Sequence, residues 1–551
     1  VGALVARGKL THSYPHSWRS KAPVIFRNTP QWFVAIDKPL GDGMDELGGT
    51  IRARALASIE KLVRFVPTAG RNRLHSMIAH RPDWVLSRQR AWGVPLTCFV
   101  RETPGGAVEI LRDGEVNARI VEAFRAEGAD AWFADGARAR FLEGRADADQ
   151  WEMVDDILDV WFDSGSTHAF ALRDRADGVW PADVYFEGTD QHRGWFHSSL
   201  LQSCGTRGRA PYKCVITHGF ALDEKGQKMS KSLGNTVAPQ DVTSQYGADI
   251  LRIWVALSDY TQDLRIGPEI LKSAADSYRR LRNTLRFMLG ALGSWDGAAR
   301  VEAAEMPELE RWVLHRLALL DADVRRGYAD FDFQAVFQRL FTFATGDLSA
   351  FYFDVRKDAL YCDAEASLRR RAALTVMEAL FHRLVTWLAP IVPFTAEEAW
   401  LARHPGPESS VHLEDFPATP AGWRDDGLAE KWARVRGARR VVTGALEIAR
   451  RDKVIGASLE GAPVLHIDDA EIAAAVRSVD MADLCITSAL TVAEQAPPDA
   501  AFRLDDPAIG VVFERAEGAK CLRCWKILPD VGSHAHAGVC ARCDAALGGQ
   551  G

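Results

Sequence analysis

The chain has 551 residues, enough for several domains, because one hydrophobic core rarely grows past roughly 250–300 residues. Its 47% apolar and 26% charged residues are ordinary for a globular protein, and a net charge of −7 excludes a surface coated in basic groups. No run of about 18 apolar residues predicts a transmembrane helix, and Val1-Gly2-Ala3-Leu4 has neither an initiator Met nor a signal-peptide pattern, as expected of a piece of a longer protein.

In chain order, the stretch up to about Asp156 is mixed, with many Pro, Gly and Trp residues and short apolar runs. Gly41-Asp42-Gly43 reads as a solvated loop, since no strand precedes it and no further glycine pattern follows. From Asp183 the pattern turns α/β. Val184-Tyr185-Phe186 predicts a strand running into Glu187-Gly188-Thr189-Asp190 and then a helix through Trp195, Ser199 and Leu200. Cys214-Val215-Ile216 predicts a second strand ending at Thr217-His218-Gly219. In open α/β sheets ligands sit beyond the carboxyl ends of strands, so these polar, Gly-bearing ends suit a nucleotide.

After Gly267-Pro268 the chain reads as helical, Pro suiting the first helical position. Leu271, Ala275, Tyr278, Leu281, Leu285 and Met288 form one apolar stripe, with Lys272, Arg279, Arg280, Arg282 and Arg286 mostly off it. Further helices are predicted around 308–326, 334–347, 367–388 and 396–404, the last opened by a capping box at Thr395-Ala396-Glu397-Glu398. A helical bundle of about 150 residues follows from this pattern. A smaller mixed region begins near Gly437.

The nine cysteines are uneven: Cys98, Cys204, Cys214, Cys362 and Cys485 are scattered, as suits a reducing compartment such as the cytoplasm. Cys521-Leu522-Arg523-Cys524 and Cys540-Ala541-Arg542-Cys543 instead have the spacing of a four-thiolate zinc site. Four protein ligands leave no open position, so such a zinc is structural. Lys520, Arg523, Lys526 and Arg542 are placed to offset its thiolate charge, and His534 and His536 read as loop residues. Two disulfides or four free thiols are the other arrangements open to this spacing.

Asp223 to Asn235 contains Lys228-Met229-Ser230-Lys231-Ser232 among glycines, a flexible cationic loop. Lysine ammonium groups suit polyphosphate oxygens and could stabilise charge on a departing pyrophosphate. A solvated charged loop is the alternative for this segment taken alone.

Lys228–Ser232 matches the signature of class I aminoacyl-tRNA synthetases. Asp159-Val160-Trp161-Phe162-Asp163-Ser164-Gly165 and Glu187-Gly188-Thr189-Asp190-Gln191-His192-Arg193-Gly194-Trp195-Phe196 resemble the bacterial isoleucyl-tRNA synthetases. So do Ser87-Arg88-Gln89-Arg90-Ala91-Trp92-Gly93-Val94-Pro95 and Leu348-Ser349-Ala350-Phe351-Tyr352-Phe353-Asp354. The resemblance runs from about Thr11 to Cys543. It implies a multidomain α/β plus all-α protein: the exit of an editing insertion over 1–36, the second part of a Rossmann-type catalytic domain over 37–266, a helical anticodon-binding bundle over 267–436, a junction over 437–510 and a zinc ribbon over 511–551. It implies ligation of L-isoleucine to tRNA(Ile) with ATP and Mg²⁺, one structural Zn²⁺, no membrane, and a monomer. By the family's pattern Glu187 and Gly188 bind the aminoacyl-adenylate with Asp190 and Gln191 beside them, Lys231 binds ATP, Lys228 and Ser230 act at the phosphates, and His218 faces adenine or phosphate or packs structurally. The attacking group is already a carboxylate, so no general base is needed and catalysis is positioning plus charge stabilisation.

The family's His-x-Gly-His motif does not occur in this sequence. Of the editing insertion only the exit near residues 11–20 is represented, with Ser17 and Ser20 where some relatives carry a Cys-x-x-Cys pair. With one side of the phosphate clamp absent, this chain alone is expected not to form adenylate. A valine- or leucine-specific relative and a non-catalytic tRNA-binding module are the two rival readings.

Overall fold

The computed structural model describes all residues except 1, 3, 18–19, 89–91, 174, 231–232, 506–507 and 549–551. The strand Cys214–His218 is the centre of the first unit, Val1–Gly219. Its first four residues are buried, as expected of a parallel strand covered on both faces. Tyr185–Gly188 pairs with it in parallel on one side, Thr217 opposite Glu187 and His218 opposite Gly188. Arg64–Val66 pairs in parallel on the other side, with Val215 opposite Phe65. This third strand was not anticipated.

Helices cover the sheet. Ile51–Lys61 is capped by the Thr50 hydroxyl, which accepts from the Ala53 N–H. Trp195–Arg207 ends at Gly208, whose φ of +76° is the left-handed cap position glycine favours. Ile51, Ile59, Phe65, Phe196, Leu200 and Val215 belong to the core between them. Asp42 is not merely part of a solvated loop. Its carboxylate accepts two bonds from the fully buried Arg54, which hold it down to about pKa 2. A second, smaller core in this unit packs Phe99, Trp132, Phe141 and Trp151 beneath an antiparallel three-stranded sheet and the helix Gly114–Glu127. The sequence pattern had left this region as a mixed stretch.

The second unit is Phe220–Gly551. Pro268–Ala291 forms the anticipated helix, burying Leu271, Ala274, Leu281, Leu285 and Met288, while Lys272, Arg279, Arg280, Arg282 and Arg286 are exposed. Glu308–Ala329, Phe333–Thr342, Phe353–Cys362, Leu368–Leu388 and Pro393–Arg403 complete the bundle, and Phe343–Tyr352 is a wider π-helical stretch joining two of them. The capping box does not form: the helix begins at Pro393, and Thr395 donates its N–H and hydroxyl to Asp249 Oδ2 at 2.8 and 2.6 Å. Glu397 accepts from Ser410 and Val411, and Glu398 pairs with Arg282.

Val242, Ile253 and Trp254, which precede the first bundle helix, share one core with the bundle. The expected division at 436/437 falls inside one continuous helix, Asp426–Arg451, whose buried Trp432, Val435, Ala438 and Val442 join the same core. Beyond it a three-stranded sheet orders Thr491–Ala493, Val464–Ile467 and Ile509–Val512. A hairpin, Ala519–Lys520 with Ile527–Leu528, and the helix Ala541–Gly548 form the terminal ribbon.

One ionic network ties these parts together. Arg356, Glu310 and Asp483 are all buried. Arg356 donates to both Glu310 oxygens at 2.6 and 2.7 Å and to Asp483 at 3.1 Å. Tyr352 also donates to Glu310 at 3.2 Å, and Arg369 joins Asp483 to Asp363. Among the described residues no helix is long and apolar enough to cross a membrane.

Candidate functional sites: strand ends, a lysine loop and a thiolate cluster

In the first unit the parallel pairing sets Glu187-Gly188 directly beside Thr217-His218 at the carboxyl ends of two strands. Glu187 and Asp190 are exposed, and Gln191 is half-buried. Gln191 Oε1 accepts from the Trp195 N–H at 2.9 Å, and its amide donates to Asp190 at 3.2 Å. The Asp190 carboxylate lies close over Gly188, where a Cβ would stand 2.6 Å from its Oδ1 and would turn that side chain aside. Trp195 stacks on Tyr185, ring centroids 4.2 Å apart, and donates its indole N–H to the Ser164 carbonyl.

His218 Nδ1 lies 2.7 Å from the Gly219 carbonyl, which can only accept, so that nitrogen carries the proton. Two motifs distant in sequence also meet in this unit. Ser87–Arg88 pairs with Ile157–Leu158, and the buried Asp159 accepts from Trp84 at 3.3 Å and pairs with Arg88 at 3.0 Å. Gln89, Arg90 and Ala91 lie outside the described residues. This meeting was hidden from the sequence because nothing in either motif names its partner.

In the second unit Lys228 is exposed and Met229 packs against the large core, so the lysine loop is anchored at its middle. A turn with Gly226 at φ +77° opens the loop, and Leu222 bridges to Lys228 across it. Ser230 is half-buried, its hydroxyl accepting from the Leu233 N–H. Lys231 and Ser232 lie outside the described residues. On the first bundle helix Arg279 pairs with Asp276, Arg282 with Glu398 at 3.0 Å, and Lys272 lies 3.9 Å from Glu269.

The four terminal cysteines converge. All are buried, and their sulfurs lie within 4.8 Å of one another. Cys524 and Cys540 Sγ are 3.7 Å apart, far beyond a disulfide's roughly 2.05 Å but close to the edge, about 3.8 Å, of a tetrahedron with 2.3 Å arms. The donor set therefore fits a tetrahedral zinc. His534 and His536 face away, held by Asp530 at 3.1 Å and Asp544 at 2.9 Å.

Burial pushes the Cys521 thiol up, yet backbone N–H groups of Cys524, Arg523 and Cys540 outweigh it and hold the thiol well below its ordinary range. The basic residues do less of this than their spacing suggested. Arg542 is engaged with Asp358 at 2.8 Å, and Arg523 donates to the carbonyls of Cys362 and Tyr361. Lys520 stands 5.8 Å over the Trp525 ring. Arg523 and Arg542 thus dock the ribbon on the bundle, and backbone amides supply the nearest charge stabilisation.

Residues 16–267 match the model of "tRNA synthetases class I (I, L, M and V)", residues 310–466 that of "Anticodon-binding domain of tRNA ligase", and residues 518–546 that of "Zinc finger found in FPG and IleRS". Over residues 16–267 the chain is thus similar to the class I tRNA synthetases. It is 68% identical over its whole length to an isoleucine–tRNA ligase of Ruegeria pomeroyi, covering 57% of that protein. It is 61% identical to the corresponding ligase of Brucella melitensis, over 96% of this chain and 53% of that one, and 56% identical to that of Bartonella henselae, over 99% and 55%. The chain spans little more than half the length of these relatives.

Proposed function

We propose that this chain carries the lysine-loop side of the adenylating machinery, and the tRNA-binding modules, of an isoleucine–tRNA ligase. The observation that carries the reading is 68% identity to such a ligase along the entire chain, which includes the Glu187–Phe196 turn, the Lys228–Ser232 loop and the four cysteines together. In the proposed reaction the isoleucine carboxylate attacks the α-phosphorus of ATP, pyrophosphate leaves with Mg²⁺, and the acyl group passes to the terminal ribose of tRNA(Ile) while AMP departs. Glu187 and Gly188 hold the adenylate, with Asp190 and Gln191 shaping the turn beside it. Lys228, Ser230 and Lys231 stabilise charge on the phosphates, which acts in the transition state more than in the ground state. His218, with Nδ1 on the Gly219 carbonyl, leaves Nε2 to face the adenine or the phosphates. The bundle arginines would position the tRNA through its phosphates, and the zinc would lock the ribbon's fold. We place the reaction in the cytoplasm, consistent with nine cysteines of which none is in a disulfide, and the protein acts as a monomer.

The test is ATP–pyrophosphate exchange. Full-length protein should exchange with isoleucine, and exchange driven by valine or leucine instead would overturn the assignment. Residues 1–551 alone should be inactive, since they contain no His-x-Gly-His motif. Full-length protein that binds tRNA without any exchange would support a non-catalytic module.

A further inference from the structure

Residues 223–230 and 233–235 are held against one another by two side chains. Asn235 uses both its amide donors and its carbonyl acceptor there. Its Oδ1 accepts the Ser230 N–H at 2.9 Å, and its Nδ2 donates to Asp223 Oδ2 at 2.9 Å and to the Lys228 carbonyl at 3.3 Å. Asp223 Oδ1 accepts the N–H groups of Lys225 and Gln227 at 3.0 and 2.8 Å. The preceding Gly234 has φ +65°, which reverses the chain so that the Asn235 amide reaches back across the loop. The Gln227 N–H, then the Asn235 amide, hold the Asp223 carboxyl below the usual carboxylate range, so it stays an acceptor near neutral pH.

We propose that Asn235 and Asp223 are positioning residues: together they fix the backbone on both sides of Met229 and so pre-set the lysine loop for the triphosphate. This rests on the reading of the loop given above. The physical reason is that a fixed cation stabilises developing charge without reorganising at the moment of reaction, whereas a lysine on a free loop must first be ordered. Only an amide serves at position 235, because the site needs one acceptor and two donors at once. Aspartate there would remove the donors and set two carboxylates against each other.

Two experiments test this. In the 551-residue chain, Asn235→Ala should speed amide hydrogen exchange at Ser230 and trypsin cleavage after Lys228, with the melting temperature of the chain unchanged. Unaltered exchange and cleavage would overturn the proposal whatever the enzyme does. In full-length protein, Asn235→Ala should lower kcat for isoleucine-dependent pyrophosphate exchange by about 10- to 100-fold, the cost typical of misplacing a catalytic group. The KM for isoleucine should not move, and that for ATP should change less than kcat. Asn235→Asp should be worse than Asn235→Ala. The swap Asp223→Asn with Asn235→Asp restores a donor facing an acceptor but leaves the Lys228 carbonyl without one, and should recover only part of the loss seen in Asn235→Asp. Wild-type kcat in Asn235→Ala, or a swap no better than Asn235→Asp, would overturn the proposal. Wild-type protein without isoleucine-dependent exchange would instead overturn the functional reading, with the hydrogen-exchange arm still deciding this one.

Discussion

Replacing Arg356 by Met should destabilise the second unit by about 3–5 kcal/mol, the cost of leaving a buried charge without its partner. Glu310 has no exposed side-chain surface and takes two charge-assisted bonds from Arg356, so the substitution leaves it, among the described residues, with Tyr352 as its side-chain partner. Asp483 loses one bond at 3.1 Å but keeps Arg369 at the same distance, which places the expected cost in the lower half of that range. The pair itself is a different matter. Removing both charges with Glu310→Met and Arg356→Met should return most of the lost stability, because desolvation offsets most of the attraction between two buried ions. Urea titration followed by hydrogen exchange in the peptide covering Phe353–Cys362 reports the unfolding free energy of this part of the bundle. A cost below about 1 kcal/mol for the single substitution, an ordinary surface value, or a double variant as unstable as the two singles added, would refute the reasoning.

Three other outcomes are expected. His197 is buried with neither ring nitrogen bonded, and burial, then Arg81 and Arg193, lower its pKa to about 3, below the unfolded value of about 6.5. The unfolded chain therefore binds more protons between these values. The contribution of His197 is complete above about pH 6.5 and is lost as pH falls toward 3, by at most about 1.4 kcal/mol per unit. Thermal unfolding of His197→Phe from pH 7 to 4 should show a shallower decline than wild type, and an identical decline refutes the claim. Native mass spectrometry should find one zinc per chain, and Cys540→Ser should abolish it and speed hydrogen exchange over the ribbon; unchanged exchange after metal loss would contradict a structural role. In full-length protein Lys228→Ala should lower kcat for pyrophosphate exchange by about 10²–10³, while Lys225→Ala stays near wild type; equal effects would deny Lys228 its special place.

What the sequence revealed depended on how local each cause was. The zinc ligands were readable because a chelate fixes its own spacing. The strands ending at Gly188 and His218 were readable because each is a short apolar run stopped by glycine. Arg64–Val66 escaped notice because three residues with two apolar side chains carry no period, and the strand exists only because Cys214–His218 pairs with it. Thr395 misled for a related reason. Its spacing to Glu398 satisfied a local rule, yet Pro393 opens the helix and Asp249, distant in sequence, takes the Thr395 N–H. The helix Asp426–Arg451 runs across the division expected at 436/437, because a half-buried glycine inside a helix looks like a boundary.

The order of the parallel sheet sets a schedule for biosynthesis. Its middle strand, Cys214–His218, is the last of the three to be made. At roughly 5–20 residues per second, Arg64–Val66 leaves the ribosome on the order of ten seconds before the strand that will pair with it. Until then the backbone groups of both flanking strands that will face Cys214–His218 stay open to other chains. Chaperones that shield nascent segments should therefore matter most in that interval, and slow codons just before residue 214 would lengthen the exposure rather than relieve it.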